Sequence, residues 1–413
     1  MGQPGPRPDP AIARVRVVVV NFNRGRLTLD CLESLKQLEW PADRLDVVVV
    51  DNASSDGSAE AIRQAHPWAR VITSAENLGF AGGNNLALRD LSDLDYVALV
   101  NNDATVDPGW LAPLVAALEQ DPGIGAACSK VLFAGRFVEL ALSSQTTRAS
   151  RCDTRRLGLQ VSGIEVDGTD HWAGAQFVEG WWGQEFGPGG TFQWSTDSAR
   201  LRVPAGQEAR LRLSAARPVR ARVDSGGGAT SVAVGPEPTW VTVPLAAEPI
   251  EVVNNAGNRL LAAGFCADRG YLEPDQGQYQ VAAEVFAWCG ASVLLRPGYL
   301  ADIGLFDERL FLYYEDFDLS WQGRLQGWRY RYVPGSVVHH VHSATAGQAS
   351  AVTAYHVERN RLLVLAKNAP ARLAAAAAFR FLVVTASYLR RDLVCPLLGG
   401  QRPRPAVPIR RLR

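Results

Sequence analysis

Residues 47–58 read Val-Val-Val-Val-Asp-Asn-Ala-Ser-Ser-Asp-Gly-Ser, a β-branched run that stops abruptly at hydrogen-bonding residues. Val47–Val50 is strand length. A strand that is apolar at every position is buried on both faces, as in a parallel sheet with helices on each side. Asp56-Gly57 is a turn signal, and Ser58–Ala65 carries a helical pattern behind it. The same strand-then-polar text recurs on either side. Val17–Val20 leads into Asn21-Phe22-Asn23-Arg24 and a helical pattern over Leu27–Leu38. Tyr96–Val100 leads into Asn101-Asn102-Asp103. Residues 15–130 therefore read as repeated β–α units of an open, mostly parallel α/β sheet. Ligands of such sheets sit outside the carboxyl ends of the strands, where each of these polar runs falls.

The pattern changes near Phe137. From there to Glu251, short alternating segments (Arg200–Val203, Arg210–Leu213, Trp240–Val243) are separated by Gly and Pro clusters such as Gly226-Gly227-Gly228. This predicts a small antiparallel sandwich or barrel. The α/β text then returns: a strand over Ala291–Leu295, a helix over Phe317–Gln326, a strand over Tyr330–Val333 and a helix over Thr353–Asn368. The expected organisation is a disordered lead (1–14), an α/β half (15–136), an inserted β-rich unit (137–251), a second α/β half (252–368), and an apolar helix with a basic tail (369–413). No apolar run reaches unbroken membrane-spanning length, and the nearest, Leu373–Leu389, carries Arg380. An apolar helix beside a basic tail suits either docking on an anionic membrane surface or packing on the domain.

Four groups carry candidate chemistry. At the strand ends, Asp51 can accept from a base or ribose hydroxyl, and Asp103 can hold a divalent cation against a diphosphate. The stretch Glu76-Asn77-Leu78-Gly79-Phe80-Ala81-Gly82-Gly83-Asn84-Asn85 allows close backbone approach to a ligand, with Asn84 and Asn85 opening a helix. It is neither GxGxxG nor a P-loop, which removes the main support for a dinucleotide oxidoreductase or a P-loop NTPase. Glu315, Asp316 and Asp318 place three acids in four positions at a helix start. The helix dipole accounts for one or two of them, and a carboxylate here can serve as general base toward an alcohol. His339-His340-Val341-His342 holds three of the six histidines, with His340 and His342 on one face of a strand.

Together these motifs resemble the family 2 glycosyltransferases with the GT-A fold, especially the bacterial rhamnosyltransferase-like branch. The resemblance rests on VVVVNFNR, VVVVDNASSDGS, ENLGFAGGNN, ALVNNDATVDPGWL, the long run from FAWCGASVLL through YYEDFDLSW to VVHHVHS, and YHVERNRLLVLAKN. It implies that Asn21, Asn23, Asp51, Asn77, Gly79, Asn84, Asn101 and Asn102 face a nucleotide sugar. Asn101-Asn102-Asp103 stands where the family has its metal-binding DxD, with asparagine in place of the first acid. Asp103 would then be the main carboxylate ligand of Mn²⁺ or Mg²⁺, with His340 or His342 completing the shell. Asp316 would be the catalytic base, with Glu315, Asp318 and Trp288 orienting it or holding the acceptor. The implied reaction is inverting transfer from a nucleoside-diphosphate sugar to a hydroxyl of a glycan or lipid-linked glycan, in the cytoplasm or at the inner face of the membrane.

Composition supports this frame. Lys+Arg and Asp+Glu balance at 42 each, which gives no overall electrostatic case for nucleic acid. None of the six cysteines forms a CxxC pair, so neither a zinc site nor a disulfide framework is indicated. Two other readings stand beside the transferase. A sugar-phosphate nucleotidyltransferase would carry a glycine-rich basic loop after the first strand, where this chain has Asn21-Phe22-Asn23-Arg24. A glycan-binding scaffold with a dead α/β unit would not need Asp51, Asp103 and Asp316. In the insertion, Trp172, Trp181, Trp182, Trp194 and Trp240 either build a core or stack on sugar rings.

Overall fold

The computed structural model describes residues 12–148, 154–187, 190–262, 264–341, 351–394 and 397. The lead as far as residue 11, the tail beyond 397 and His342 lie outside them.

In the first half the strands are β1 (Val15–Asn21), β2 (Leu45–Asp51), β3 (Arg70–Thr73), β4 (Tyr96–Asn101), β5 (Ala104–Val106) and β6 (Ile124–Phe133). The helices between them are α1 (Gly25–Lys36), α2 (Ser58–Ala65), α3 (Gly79–Leu88) and α4 (Leu111–Glu119). The unalternating valine runs divide by pleat. Val17, Val19, Val47 and Val49 join α1 and α4 on one face, through Cys31, Leu32, Leu35, Leu111 and Leu114. Val18, Val48 and Val50 join Ala81, Ala87 and Leu88 of α3 on the other. Burying such a side chain contributes roughly 1.5–3 kcal/mol, so helix cover on both faces explains why these strands carry no polar alternation.

The second half completes the same sheet with β15 (Val253–Asn255), β17 (Ala283–Val285), β18 (Ser292–Leu295) and β19 (Arg329–His340), and β16 (Cys266–Asp268) lies outside it. The numbering leaves β7 to β14 for the insertion. The strand order is β17-β19-β6-β18-β4-β1-β2-β3. The sheet is mixed. β4-β1-β2-β3 pair in parallel, as do β6 and β19, while β18 runs antiparallel between β4 and β6. Helices α5 (Pro297–Ile303), α6 (Glu315–Leu325), α7 (Ala351–Asn368) and α8 (Ala371–Leu389) belong to this half.

Strands β7 (Phe137–Ser143), β8 (Leu159–Val166), β9 (Gln176–Trp181), β10 (Gly190–Pro204), β11 (Glu208–Ala215), β12 (Val219–Asp224), β13 (Ala229–Val234) and β14 (Thr239–Pro244) form a separate antiparallel sheet. β10 is 15 residues long. Its first part pairs with β8 and its last part with β7, so it carries the sheet from one layer into the next around a single core of Leu140, Leu142, Leu159, Leu201, Leu211 and Val243. The ends of the insertion meet: Phe137 and Ile250 exchange backbone hydrogen bonds at 2.9 and 2.8 Å.

The tryptophans lie at the flanks of that core. Trp172, Phe177 and Trp181 pack beside it, Phe177 edge to face with Trp181 and tilted against Trp172. Trp181 and Trp182 donate their indole N–H to the carbonyls of Arg200 and Arg156. Trp240 is 40% exposed, with the Arg210 guanidinium over its ring.

Candidate active site

The carboxyl ends of β1, β2 and β4 converge, as the sequence predicts, yet most of the polar side chains there face one another. Asn21 is fully buried. Its amide donates to Asp51 Oδ1 (2.8 Å), Ser54 Oγ (3.0 Å) and Ser58 Oγ (2.8 Å), and its carbonyl accepts from Thr28 Oγ1 (2.7 Å). Asp51 is 1% exposed and also accepts from the Ser54 N–H at 3.2 Å. Asn102 donates to Thr28 Oγ1 at 3.1 Å. These three form the internal frame of the strand ends, their side chains bonded to neighbouring strand-end groups. A buried amide or carboxylate must find partners, and the neighbouring strand ends supply them. Asn23 remains partly exposed with a positive φ of 51°, and its carbonyl accepts from the Ser55 N–H at 2.7 Å.

The glycine stretch is also turned inward. α3 begins at Gly79, so Asn84 and Asn85 sit in its middle instead of opening it. Asn84 donates to the Phe80 carbonyl at 2.9 Å. Gly79 has φ 68°, and a Cβ there would stand 2.3 Å from the Phe311 carbonyl oxygen. That same carbonyl accepts from the N–H groups of Phe80 (2.7 Å) and Ala81 (3.3 Å). The close approach that glycine permits is thus used by the chain's own Phe311, which caps the helix start. Asn77 stays partly exposed beside it and accepts from the Gly79 N–H at 2.9 Å.

Asp103 and His340 come together from the β4–β5 turn and the end of β19, whose last residues pair with β5. His340 Nε2 lies 2.9 Å from Asp103 Oδ1 and 3.3 Å from Asn101 Nδ2, and His340 Nδ1 lies 3.1 Å from Asn254 Oδ1. With Nδ1–H donated to Asn254, Nε2 presents its lone pair on the side of Asp103 and Asn101, where a cation could be shared with the Asp103 carboxylate. Adjacent ligands of a hexacoordinate Mn²⁺ or Mg²⁺ stand about 3 Å apart when each bond is about 2.1 Å, so the pair fits such an ion. Among the described residues no group of three His, Cys, Asp or Glu side chains is placed to hold a metal.

The acids of α6 are divided by environment. Asp316 is partly buried. Its Oδ2 accepts from the Gly290 N–H (2.9 Å) and its Oδ1 from the Phe317 N–H (2.7 Å). Burial raises its carboxyl above the usual range despite those donors. Glu315 is buried, with Oε2 unpartnered, and is raised first by burial and then by the charge of Asp316. Asp318 is 1% exposed and accepts from Lys367 Nζ (2.7 Å), Asn368 Nδ2 (2.6 Å) and Gln322 Nε2 (2.9 Å). It fastens α7 to α6, which corrects its expected contact with an acceptor. Trp288 is fully buried edge to face with Phe306, so it too is removed from an acceptor surface.

The turn into α6 is strained. Phe311, Tyr313 and Tyr314 all have positive φ, between 60° and 72°. One side chain holds this turn: Asn360 of α7, itself fully buried, donates to the carbonyls of Leu310 (2.7 Å), Leu312 (2.9 Å) and Tyr313 (2.8 Å).

Sequence reasoning missed Asn254, Asn255, Asp268, Gly290 and Asn360. Asp268 accepts from Asn255 Nδ2 at 2.7 Å. Burial lifts its carboxyl to about 6 against that bond, and it interacts electrostatically with both Asp316 and His340. The signal was present in Asn254-Asn255, a polar pair closing the apolar Val252-Val253, the same strand-end text that marked β1, β2 and β4.

The sequence profile described as Glycosyl transferase family 2 matches residues 16–177. An N-acetylglucosaminyl-diphospho-decaprenol L-rhamnosyltransferase of Mycobacterium tuberculosis is 36% identical over 121 residues, which are 27% of this chain and 38% of that protein. Glycosyltransferase AglE of Haloferax volcanii is 26% identical over 143 residues, 34% of this chain and 44% of that one. The chain thus spans less than half the length of these relatives. A crystal structure of GalNAc-T7 with UDP, GalNAc and Mn²⁺ superposes with a TM-score of 0.47 at 14% identity, over 86% of this chain and 48% of the other. Residues 16–177 thus match glycosyl transferase family 2, and the mixed open sheet that gathers polar residues at its strand ends is a GT-A fold.

Proposed function

We propose that the protein moves a sugar from a nucleoside-diphosphate donor to a hydroxyl of a glycan or lipid-linked glycan, by an inverting single displacement, for a cell-surface polysaccharide. The observation that carries this reading is the meeting of Asp103 and His340, 2.9 Å apart at the strand ends, in a chain whose residues 16–177 match glycosyl transferase family 2. The rhamnosyltransferase relative, whose name describes a lipid-diphosphate acceptor, supports an acceptor of that class.

Asp103 and His340 would hold Mn²⁺ or Mg²⁺, which when bound neutralises charge on the departing diphosphate. Asn23, Asn77 and Asn101 are the expected donor-site side chains that remain partly exposed at the strand ends, and they contact the donor. Asp316 takes the proton of the acceptor hydroxyl. Its raised affinity for that proton makes it a stronger base once ionised, and the Gly290 N–H fixes its orientation. Glu315 is kept neutral beside it, because two adjacent buried carboxylates resist ionising together. Cys31, Cys128, Cys266 and Cys289 are free thiols, which suits a reducing cytoplasmic side.

The test is a thermal-shift and nucleotide-release screen with UDP-, GDP- and dTDP-sugars in Mn²⁺, Mg²⁺ or EDTA. Metal-dependent stabilisation by one donor, lost in Asp103→Ala, is the expected result. No response to any donor under any metal condition would leave the scaffold reading in its place.

A further inference from the structure

We infer that α8 docks the protein on an anionic lipid bilayer, lying along the surface with one apolar stripe set into the headgroup layer. The helix has two faces. Leu373, Ala374 and Ala377 pack against Val364 and Leu365 of α7, and Thr385 and Asp392 are buried further along. On the other side Phe379 is 69% exposed, Leu382 63% and Val383 51%. A surface helix of a water-exposed protein places polar residues there. This one is apolar on both faces, so its outer face needs a cover.

Charge identifies the cover. Residues 371–413 contain nine arginines and a single acid, Asp392, giving a net charge of +8 in a chain whose total is zero. Asp392 is bound by Arg391 at 2.6 Å, so it does not offset the exposed Arg372 and Arg390. Anionic headgroups attract such a segment, and the exposed Phe, Leu and Val enter the acyl boundary. A second copy of the chain fits less well, because it would set +8 against +8.

The helix lies flat. The apolar stretch Ala371–Val394 is 24 residues long, about 36 Å, and long enough to cross a bilayer. However, Arg380 stands near its middle with its guanidinium 6.0 Å from the Phe265 ring, and α7 covers one stripe. A crossing would strip that cover and place Arg380 in hydrocarbon. The packing of α7 and α8 shares one cluster with Phe317 and Trp321 of α6. Docking therefore holds the Asp316 helix close to the bilayer, where a lipid-linked acceptor resides. The inference itself rests on shape and charge and does not depend on the donor reading.

The experiment is co-sedimentation of the full chain, without nucleotide, with vesicles of phosphatidylcholine alone or mixed with phosphatidylglycerol. Binding to the mixed vesicles that weakens with salt is expected. Phe379→Glu/Leu382→Glu/Val383→Glu should lower it roughly tenfold or more, and Arg372→Glu/Arg390→Glu should remove its preference for phosphatidylglycerol. All five positions are exposed, and an unchanged circular dichroism spectrum and melting temperature would show the fold intact. Equal binding to both vesicle types, or unaltered binding by the triple variant, would overturn the proposal. So would retention in membranes after an alkaline carbonate wash, which marks a spanning helix, or a dimer dispersed by the triple variant without vesicle binding.

Discussion

At the scale of single residues, the two carboxyls at the start of α6 make different predictions. Asp316→Asn should keep donor-dependent thermal stabilisation and lose about 100-fold to 10,000-fold in transfer rate, measured as single-turnover product formation. Near-normal turnover would remove Asp316 from the role of base. Glu315 has its effect on stability. Its folded carboxyl is raised above the unfolded value, so the folded state binds the extra proton between the two. The stability this contributes is fully present at pH below the usual carboxylate range and is lost as pH rises toward the folded value. Glu315→Gln should therefore flatten the decline of melting temperature from acidic to mildly alkaline pH. An unchanged slope would mean that Glu315 ionises normally in the folded protein. At this scale the sequence marked which polar residues close the strands: Asp103 and one of the histidines, His340, meet at the sheet end. A polar residue at a strand end looks the same in sequence whether it serves a ligand or its neighbour, and the mutual hydrogen bonds of Asn21, Asp51 and Thr28 appear only in the folded sheet.

At the scale of elements, α7 is the brace of the turn that leads into Glu315 and Asp316. Asn360→Ala would leave three carbonyls of a strained turn without their shared donor. It should cost about 1–3 kcal/mol in denaturant-measured stability and lower turnover by loosening Glu315-Asp316, with nucleotide binding unchanged. Full activity in a stably folded variant would show that the turn holds without the clamp. Lys367 makes the second tie. Lys367→Ala removes the cation that Asp318, 1% exposed, shares with Asp307. Because Lys367 is itself 35% exposed and Asn368 and Gln322 still donate to the Asp318 carboxylate, the cost should be about 1 kcal/mol, well below that of breaking a fully buried pair. Chemical unfolding of Lys367→Ala beside Lys367→Arg separates the charge from the packing of the stem. The helix over Thr353–Asn368 was visible from its pattern, but its task was not, because Asn360 acts on backbone atoms of residues 310–313, nearly 50 positions away.

At the scale of the whole molecule, two sheets with separate cores are threaded on one chain, and the ends of the insertion are already paired. Joining Phe137 to Ile250 through an Asn-Gly turn should give a shortened protein that unfolds cooperatively and still binds nucleotide with metal, read by calorimetry with and without donor. A cost is expected at Arg202, whose buried guanidinium donates to the Leu272 carbonyl at 2.7 Å and so ties the insertion to the second half. Failure to fold would make the insertion part of the catalytic core. The sequence by itself determined the valine strands of β1, β2 and β4, the helices that cover them, and the β-rich interruption that begins at Phe137. Those features are written in local periodicity and in residue types that stop a strand. Only the tertiary structure decided which polar groups face inward, that Phe311 fills the space left at Gly79, that Asp318 and Asn360 are braces, and that Asp268 is buried against Asn255. Each of these depends on atoms distant in sequence meeting at hydrogen-bond or Coulomb range, and that proximity is a property of the folded sheet.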